Sequence, residues 1–213
     1  MPRHAPPETP LGRPANPEAR AHRKEQILAG AQRCFIRKGF HAATTAEISS
    51  EAGVSVANMY QYFPTKDDLI RAMIQADLAE DLELVRLVNE ADTLAEGLEK
   101  TLHLSTADPE NLSKLGLRLE ILAEAARNPG IAEEVREADA QMTSAVAEMI
   151  ARRQLAGGVG SDIEPRPTAE LIMSLFDGMI GRIALGASEP DALARAATRL
   201  ILAGLGVSPK AGG

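Results

Sequence analysis

Ser55 followed by VANMYQY holds side chains suited to reading the edges of DNA bases. Asn58 and Gln61 each carry an amide that can pair with adenine in a bidentate way, and Val56 and Ala57 can touch a thymine methyl. Their small size also lets a helix backbone approach the groove floor. Tyr60, Tyr62 and the nearby Lys66 can hold phosphate oxygens, contacts that fix register without carrying sequence information. Ser55 can cap a helix and leave its positive N-terminus directed at an anionic partner. The chemistry on offer is recognition.

Those side chains reach a major groove only if two short helices and a tight turn carry them there. The flanking sequence supplies each part. Thr44 with Glu47 three residues on is a capping box that opens one helix. Ile48 and Ala52 face inward on it. Gly53 frees the backbone for the turn, Val54 packs beneath, and Ser55 opens the next helix, anchored by Met59 and Phe63 and ended by Pro64. Ahead of them, Asn16-Pro17 starts a helix with an apolar stripe of Ile27, Leu28, Ala31, Cys34 and Phe35, which Gly39 stops. Cys34 on that stripe is read as core.

After Pro64 the pattern stays helical. Thr65 caps a fourth helix, with Asp67 and Asp68 in its first turn, running to about Asn89. A fifth spans about 93–106. Asp108-Pro109 begins a sixth, which Asn128-Pro129-Gly130 is expected to end. A seventh carries Ile131 to Ile150. A glycine- and proline-rich loop follows, then an eighth helix at about 167–186 and a ninth at about 190–205. No alternation bounded by hairpin turns marks a strand. The fold class expected is all-α. The expected division is a disordered arm at 1–16, a helix-turn-helix domain at 17–64, a helical body at 65–206 and a tail at 207–213.

The stretch TTAEISSEAGVSVANMYQYFPTKDDLI resembles the DNA-binding signature of the TetR family of regulators: a Thr pair, an aliphatic residue, Ala-Gly-Val-Ser, an aromatic pair, then Ser/Thr, Lys and acids. The helix before it, from Phe35 to Phe40, fits as well. The specific match covers residues 23–72, and Asn58 stands where the family often has Thr or Ala, so base preference does not transfer. The resemblance implies a nine-helix dimer. Its first three helices bind DNA, with Thr44 and Thr45 among the DNA-facing residues. Its body holds a small-molecule pocket, and its last two helices pair with a partner.

Two physical arguments stand beside the resemblance. One short helix reads only a few base pairs, so two heads on a symmetric homodimer would read a palindromic operator. The ninth helix offers Leu193, Ala196, Ala197, Leu200 and Ile201 as an apolar face for that contact, and Gly178 and Gly181 on the eighth allow close packing. A helical body rich in Met and Leu can hold a cavity for an effector. The inward-facing candidates are His103, Glu120, Met142, Met149, Met173 and Asp177. The body's lack of Trp and Tyr argues against an aromatic cage for a quaternary ammonium.

Charge is divided along the chain. Residues 1–66 hold nine Lys/Arg against five Asp/Glu, a balance of +4 that leaves −11 for the rest of a chain whose total is −7. A basic head on an acidic body suits a first segment that meets phosphate. No apolar run reaches the roughly 18 residues of a membrane span, the N-terminus lacks the apolar stretch of a signal peptide, and the lone cysteine suits a reducing compartment; a cytoplasmic protein is expected. A catalytic alternative finds little support: there is no Walker loop, H-E-x-x-H, C-x-x-C or G-x-S-x-G. With four histidines and one cysteine no metal site is expected, and no cofactor. The other alternative is a helical protein–protein adaptor whose helix-turn-helix no longer binds DNA.

Overall fold

Short-range capping signals decide where the helices begin. The computed structural model describes residues 17–106 and 109–207, with side chains at 17–102 and 111–207. The expected N-terminal arm, the His103 side chain and residues 208–213 lie outside the described residues. Among those described there are nine helices and no strand: α1 (Pro17–Lys38), α2 (Thr45–Glu51), α3 (Val56–Tyr62), α4 (Lys66–Glu90), α5 (Leu94–Thr106), α6 (Pro109–Ala125), α7 (Pro129–Leu155), α8 (Pro165–Ala184) and α9 (Pro190–Gly204).

The caps are those written in the sequence. The Thr44 hydroxyl accepts from the Glu47 amide while the Glu47 carboxylate accepts from the Thr44 amide, and Thr65 and Asp68 do the same for α4. Two boundaries differ from expectation. Asn128-Pro129-Gly130 was expected to end the sixth helix; α6 stops at Ala125, and Asn128 instead caps α7 with Pro129 in its first turn. The eighth helix starts at Pro165 rather than 167. Both corrections have one cause: the first amides of a helix have no intrahelical partner, so proline is at home there.

Packing forms two apolar clusters. The first joins Ile27, Ala31, Cys34 and Phe35 of α1 to Ile48, Met59 and Phe63, to the start of α4, and to Leu117, Ile121 and Ile131 of α6 and α7. The second joins Val88 and Leu98 to Val146, Met149, Ile172, Ile201 and Leu205. Helix α4 reaches both. At 25 residues it spans roughly 37 Å and physically connects head and body. Its far end is fastened by Arg153 of α7, which donates to the carbonyls of Val88, Asn89 and Ala91 at 2.8, 3.1 and 2.8 Å.

The face of α9 divides differently from the sequence reading. Ala197 and Ile201, expected at a partner contact, are buried, and Ile201 belongs to the protomer's own second cluster. The stripe is broader than one neighbouring face, and these two residues turn toward the body. Ala196 and Leu200 remain exposed, Leu193 is half-buried, Gly178 is exposed and Gly181 half-buried. Val207, first residue of the expected tail, packs against the second cluster.

Candidate nucleic-acid interface and body cavity

The α1–α2 crossing sets the position of α3. Gln26 of α1 donates to the Ala52 carbonyl at 2.7 Å, beside the turn. Gly30 makes that approach possible, since a Cβ there would lie 2.8 Å from the Ala52 backbone nitrogen. Gly53 follows with φ +63°, the left-handed conformation that glycine adopts without strain. The Ser55 hydroxyl then accepts from the Asn58 amide at 3.1 Å. Met59 is buried, and Ser49 donates to its sulfur at 3.4 Å.

What α3 leaves outside is the set read from the sequence. Val56 is 37% and Tyr60 44% exposed. Ala57 and Gln61 are exposed and Asn58 is half-buried. Asn58 donates to the Gln61 side chain at 3.3 Å, so the two amides hold each other in place. Thr44 is exposed and Thr45 half-buried at the start of α2. Tyr62 and Lys66 are less free. Tyr62 packs against the first cluster, with the Arg20 guanidinium 5.4 Å from its ring centre. Lys66 Nζ lies 3.4 Å from the His41 carbonyl and 4.6 Å from the centre of the Phe40 ring. Burial holds its amine below the usual lysine range, partly opposed by Glu124.

Much of the head's positive charge is used internally. Arg33 and Arg37 both pair with Glu51, at 2.8 and 3.0 Å, and Lys38 pairs with Glu47. The Lys38 contact and the Thr44 cap pull the Glu47 carboxyl down to about 2. Arg20, exposed near the start of α1, lies beside α3 through its contact with the Tyr62 ring; Lys24, one turn on, is exposed as well.

The body encloses a cavity of about 340 Å³ between α4, α5, α6, α7, α8 and α9, within the size range of ligand pockets. Four of the expected residues line it: Met142, Met149, Met173 and Asp177. Glu120 does not. It is exposed at the head–body junction, its carboxylate about 3.6 Å from where a Cβ on Gly39 would sit. Two residues past Arg118 it has turned through roughly 200° of helix, to the opposite face.

The sequence reading missed the charged wall. Arg118 of α6 lines the cavity and pairs with Asp77 and Asp81 of α4, at 3.4 and 2.8 Å. Lys114, one turn earlier, pairs with Glu80 at 3.2 Å. The i,i+4 spacing of Lys114 and Arg118 against acids at 77, 80 and 81 was the available signal. Burial pushes the Asp177 carboxyl up, Asp139 adds to the effect, and Arg118 opposes it.

Among the described residues no helix is long and apolar enough to cross a membrane, and no group of three or more His, Cys, Asp or Glu could hold a metal ion.

With this geometry in view, the comparisons agree. Residues 27–73 match the family described as bacterial regulatory proteins, tetR family, and residues 90–206 match the BetI-type transcriptional repressor C-terminal family. The chain is 28% identical over 179 residues to the HTH-type transcriptional regulator UidR of Escherichia coli, covering 82% of this chain and 86% of that one. Its fold is similar to Salmonella enterica GusR, with TM-score 0.74, 24% identity and coverage of 87% and 96%. It is also similar to Bacillus subtilis FadR, a structure in complex with stearoyl-CoA, with TM-score 0.70, 20% identity and coverage of 84% and 98%.

Proposed function

The chain belongs to the tetR family of bacterial regulatory proteins and is a helix-turn-helix transcriptional regulator; we propose that it represses as a homodimer on a palindromic operator and lets go when a small molecule fills the body cavity. The observation that carries the DNA side is the exposed face of α3: Val56, Ala57, Asn58, Tyr60 and Gln61 presented together behind a capped, positive helix start. The face has no acid to repel phosphate. Arg20 flanks it at Tyr62, where it would hold the backbone.

Dimerisation is supported by the outer surface of α8 and α9. Leu171, Leu185 and Leu200 are 71%, 81% and 62% exposed, three large apolar groups on adjoining helices. Exposed apolar surface of this kind marks a contact with another chain. Gly178 and Gly181 have nothing within 4 Å of a would-be Cβ, which leaves room for a partner helix. The contact set proposed is therefore Leu171, Gly178, Gly181, Leu185, Leu193, Ala196 and Leu200. The setting proposed is the cytoplasm, where DNA is accessible.

Release is supported by connectivity. Helices α4 and α6 line the cavity and also pack in the head's cluster. A ligand that parts them would tilt the heads, and linkage requires operator to weaken ligand binding by the same factor.

Selection from a random duplex library tests the reading. Enrichment of two inverted half-sites a helical turn or more apart is expected. A library that returns no enriched sequence would favour the adaptor alternative.

A further inference from the structure

Among the described residues, the charges at one end of the body cavity do not balance. Arg118 is a single guanidinium set among carboxylates: it pairs with Asp77 and Asp81 and is felt by Asp177. Asp139 on α7 adds a further negative charge beside Asp177. Lys114 offers no relief, because Glu80 already neutralises it. Asp177 therefore stands, exposed, at the cavity mouth, and Arg118, the described cation that acts on it, is committed to Asp77 and Asp81. Burial first, and then the neighbouring Asp139 charge, push its carboxyl up, with Arg118 only partly opposing them.

The rest of the lining is apolar. Met142, Met149, Met173 and Met179 give it a soft, adaptable wall. Phe176 is the one aromatic ring among the described lining residues. A quaternary ammonium is best held by several ring faces, and this wall has one. An N–H donor, by contrast, would find a carboxylate acceptor and form a charge-assisted hydrogen bond. A carboxylate ligand would have to displace Asp77 or Asp81 from Arg118 and then face Asp177.

Resting on the effector reading above, we propose that the cavity takes an amphiphilic amine bearing at least one N–H, with its apolar chain among the lining methionines and its protonated nitrogen on Asp177.

Four ten-carbon probes separate the possibilities: decylamine, decanol, decanoate and decyltrimethylammonium, each titrated calorimetrically into the full-length protein below its micelle concentration. Decylamine should bind at least about tenfold more tightly than decanol, in line with a charge-assisted hydrogen bond. Decyltrimethylammonium should lose most of that advantage, and decanoate should be weakest. In Asp177→Asn the ratio of amine to alcohol affinity should fall toward one. Asp139→Asn should reduce it less, with circular dichroism confirming that both variants fold. Decanol or decanoate binding as tightly as the amine would overturn the proposal while leaving the effector cavity standing. Equal binding of the quaternary and primary amines would overturn the hydrogen-bond assignment. If no probe bound, the amine proposal and the cavity's role would fall together.

Discussion

The Glu124 carboxylate of α6 lies 2.9 Å from Nε2 of His41, in the turn between α1 and α2, close enough for an ion pair with a protonated imidazole although that oxygen accepts no well-formed hydrogen bond. Glu124 is only 7% exposed, and Arg127 also approaches it, at 3.6 Å. Helix α6 thus meets the head with one end and the cavity with the other, where Lys114 and Arg118 sit. Glu124→Gln keeps the shape and removes the charge. Since His41 is largely open to solvent, the expected loss is modest, about 1 kcal/mol, or roughly 2–4 °C in Tm. A thermal melt reads it. An unchanged Tm would mean that the contact contributes nothing to head–body docking.

Substitutions on α3 and α1 should separate base reading from phosphate holding. Asn58→Ala or Gln61→Ala should weaken operator binding by about 1–3 kcal/mol and relax preference at one or two base pairs. The mutual hydrogen bond between these amides makes their effects non-additive. Arg20→Ala should weaken operator and scrambled duplex alike and reduce the salt slope by about one. Competition binding on single-base operator variants distinguishes these outcomes.

The cap of α2 carries a pH signature. The Glu47 carboxyl sits at about 2 in the folded protein, below its ordinary 4.5, chiefly through Lys38 and then the Thr44 cap. A depressed folded value means that the contribution is complete above 4.5 and is lost as pH falls toward 2. The Tm gap between native protein and Glu47→Gln should therefore be widest at neutral pH and close between about 4.5 and 2. A gap that persisted below pH 2 would contradict the assignment.

Gly30→Ala should disturb the head more than its chemistry suggests. The new Cβ would meet the Ala52 backbone at 2.8 Å, and neither helix can yield there without moving α3. A destabilisation of about 1–3 kcal/mol is expected, with a disproportionate loss of operator affinity. Gly116→Ala is the control: nothing lies within 4 Å of its would-be Cβ, and alanine is the better helix former, so its Tm should hold or rise. Equal effects at the two positions would contradict the close-crossing argument.

The parts of this molecule legible in sequence are those set by neighbours a few residues apart. Thr44–Glu47, Ser55–Asn58 and Thr65–Asp68 are three-residue relations, and each helix they open starts where its cap stands. The α3 face was legible for the same reason, since Met59 and Phe63 fix which side is inward. Contacts between helices were not. The pairing of Arg118 with Asp81 joins residues 37 apart in sequence; the matching charge spacings on α4 and α6 allow it, but nothing local says that those two faces meet. Ala197 and Ile201 show a related limit: a stripe says that a face is apolar, but not whether the neighbour is the chain's own body or a partner. Glu120 was misplaced because two residues along a helix are enough to exchange cavity for surface.

The most direct measurement is a salt-dependent titration of native protein and an Arg20→Ala/Tyr60→Ala double variant, on the library-selected duplex and on a scrambled one. Tight binding to the selected duplex alone, falling steeply with salt and lost in the variant, is the result predicted. Native protein that binds both duplexes equally, or a variant that binds as well as the native chain, would contradict the assignment of α3 and its basic flank as the operator-reading surface.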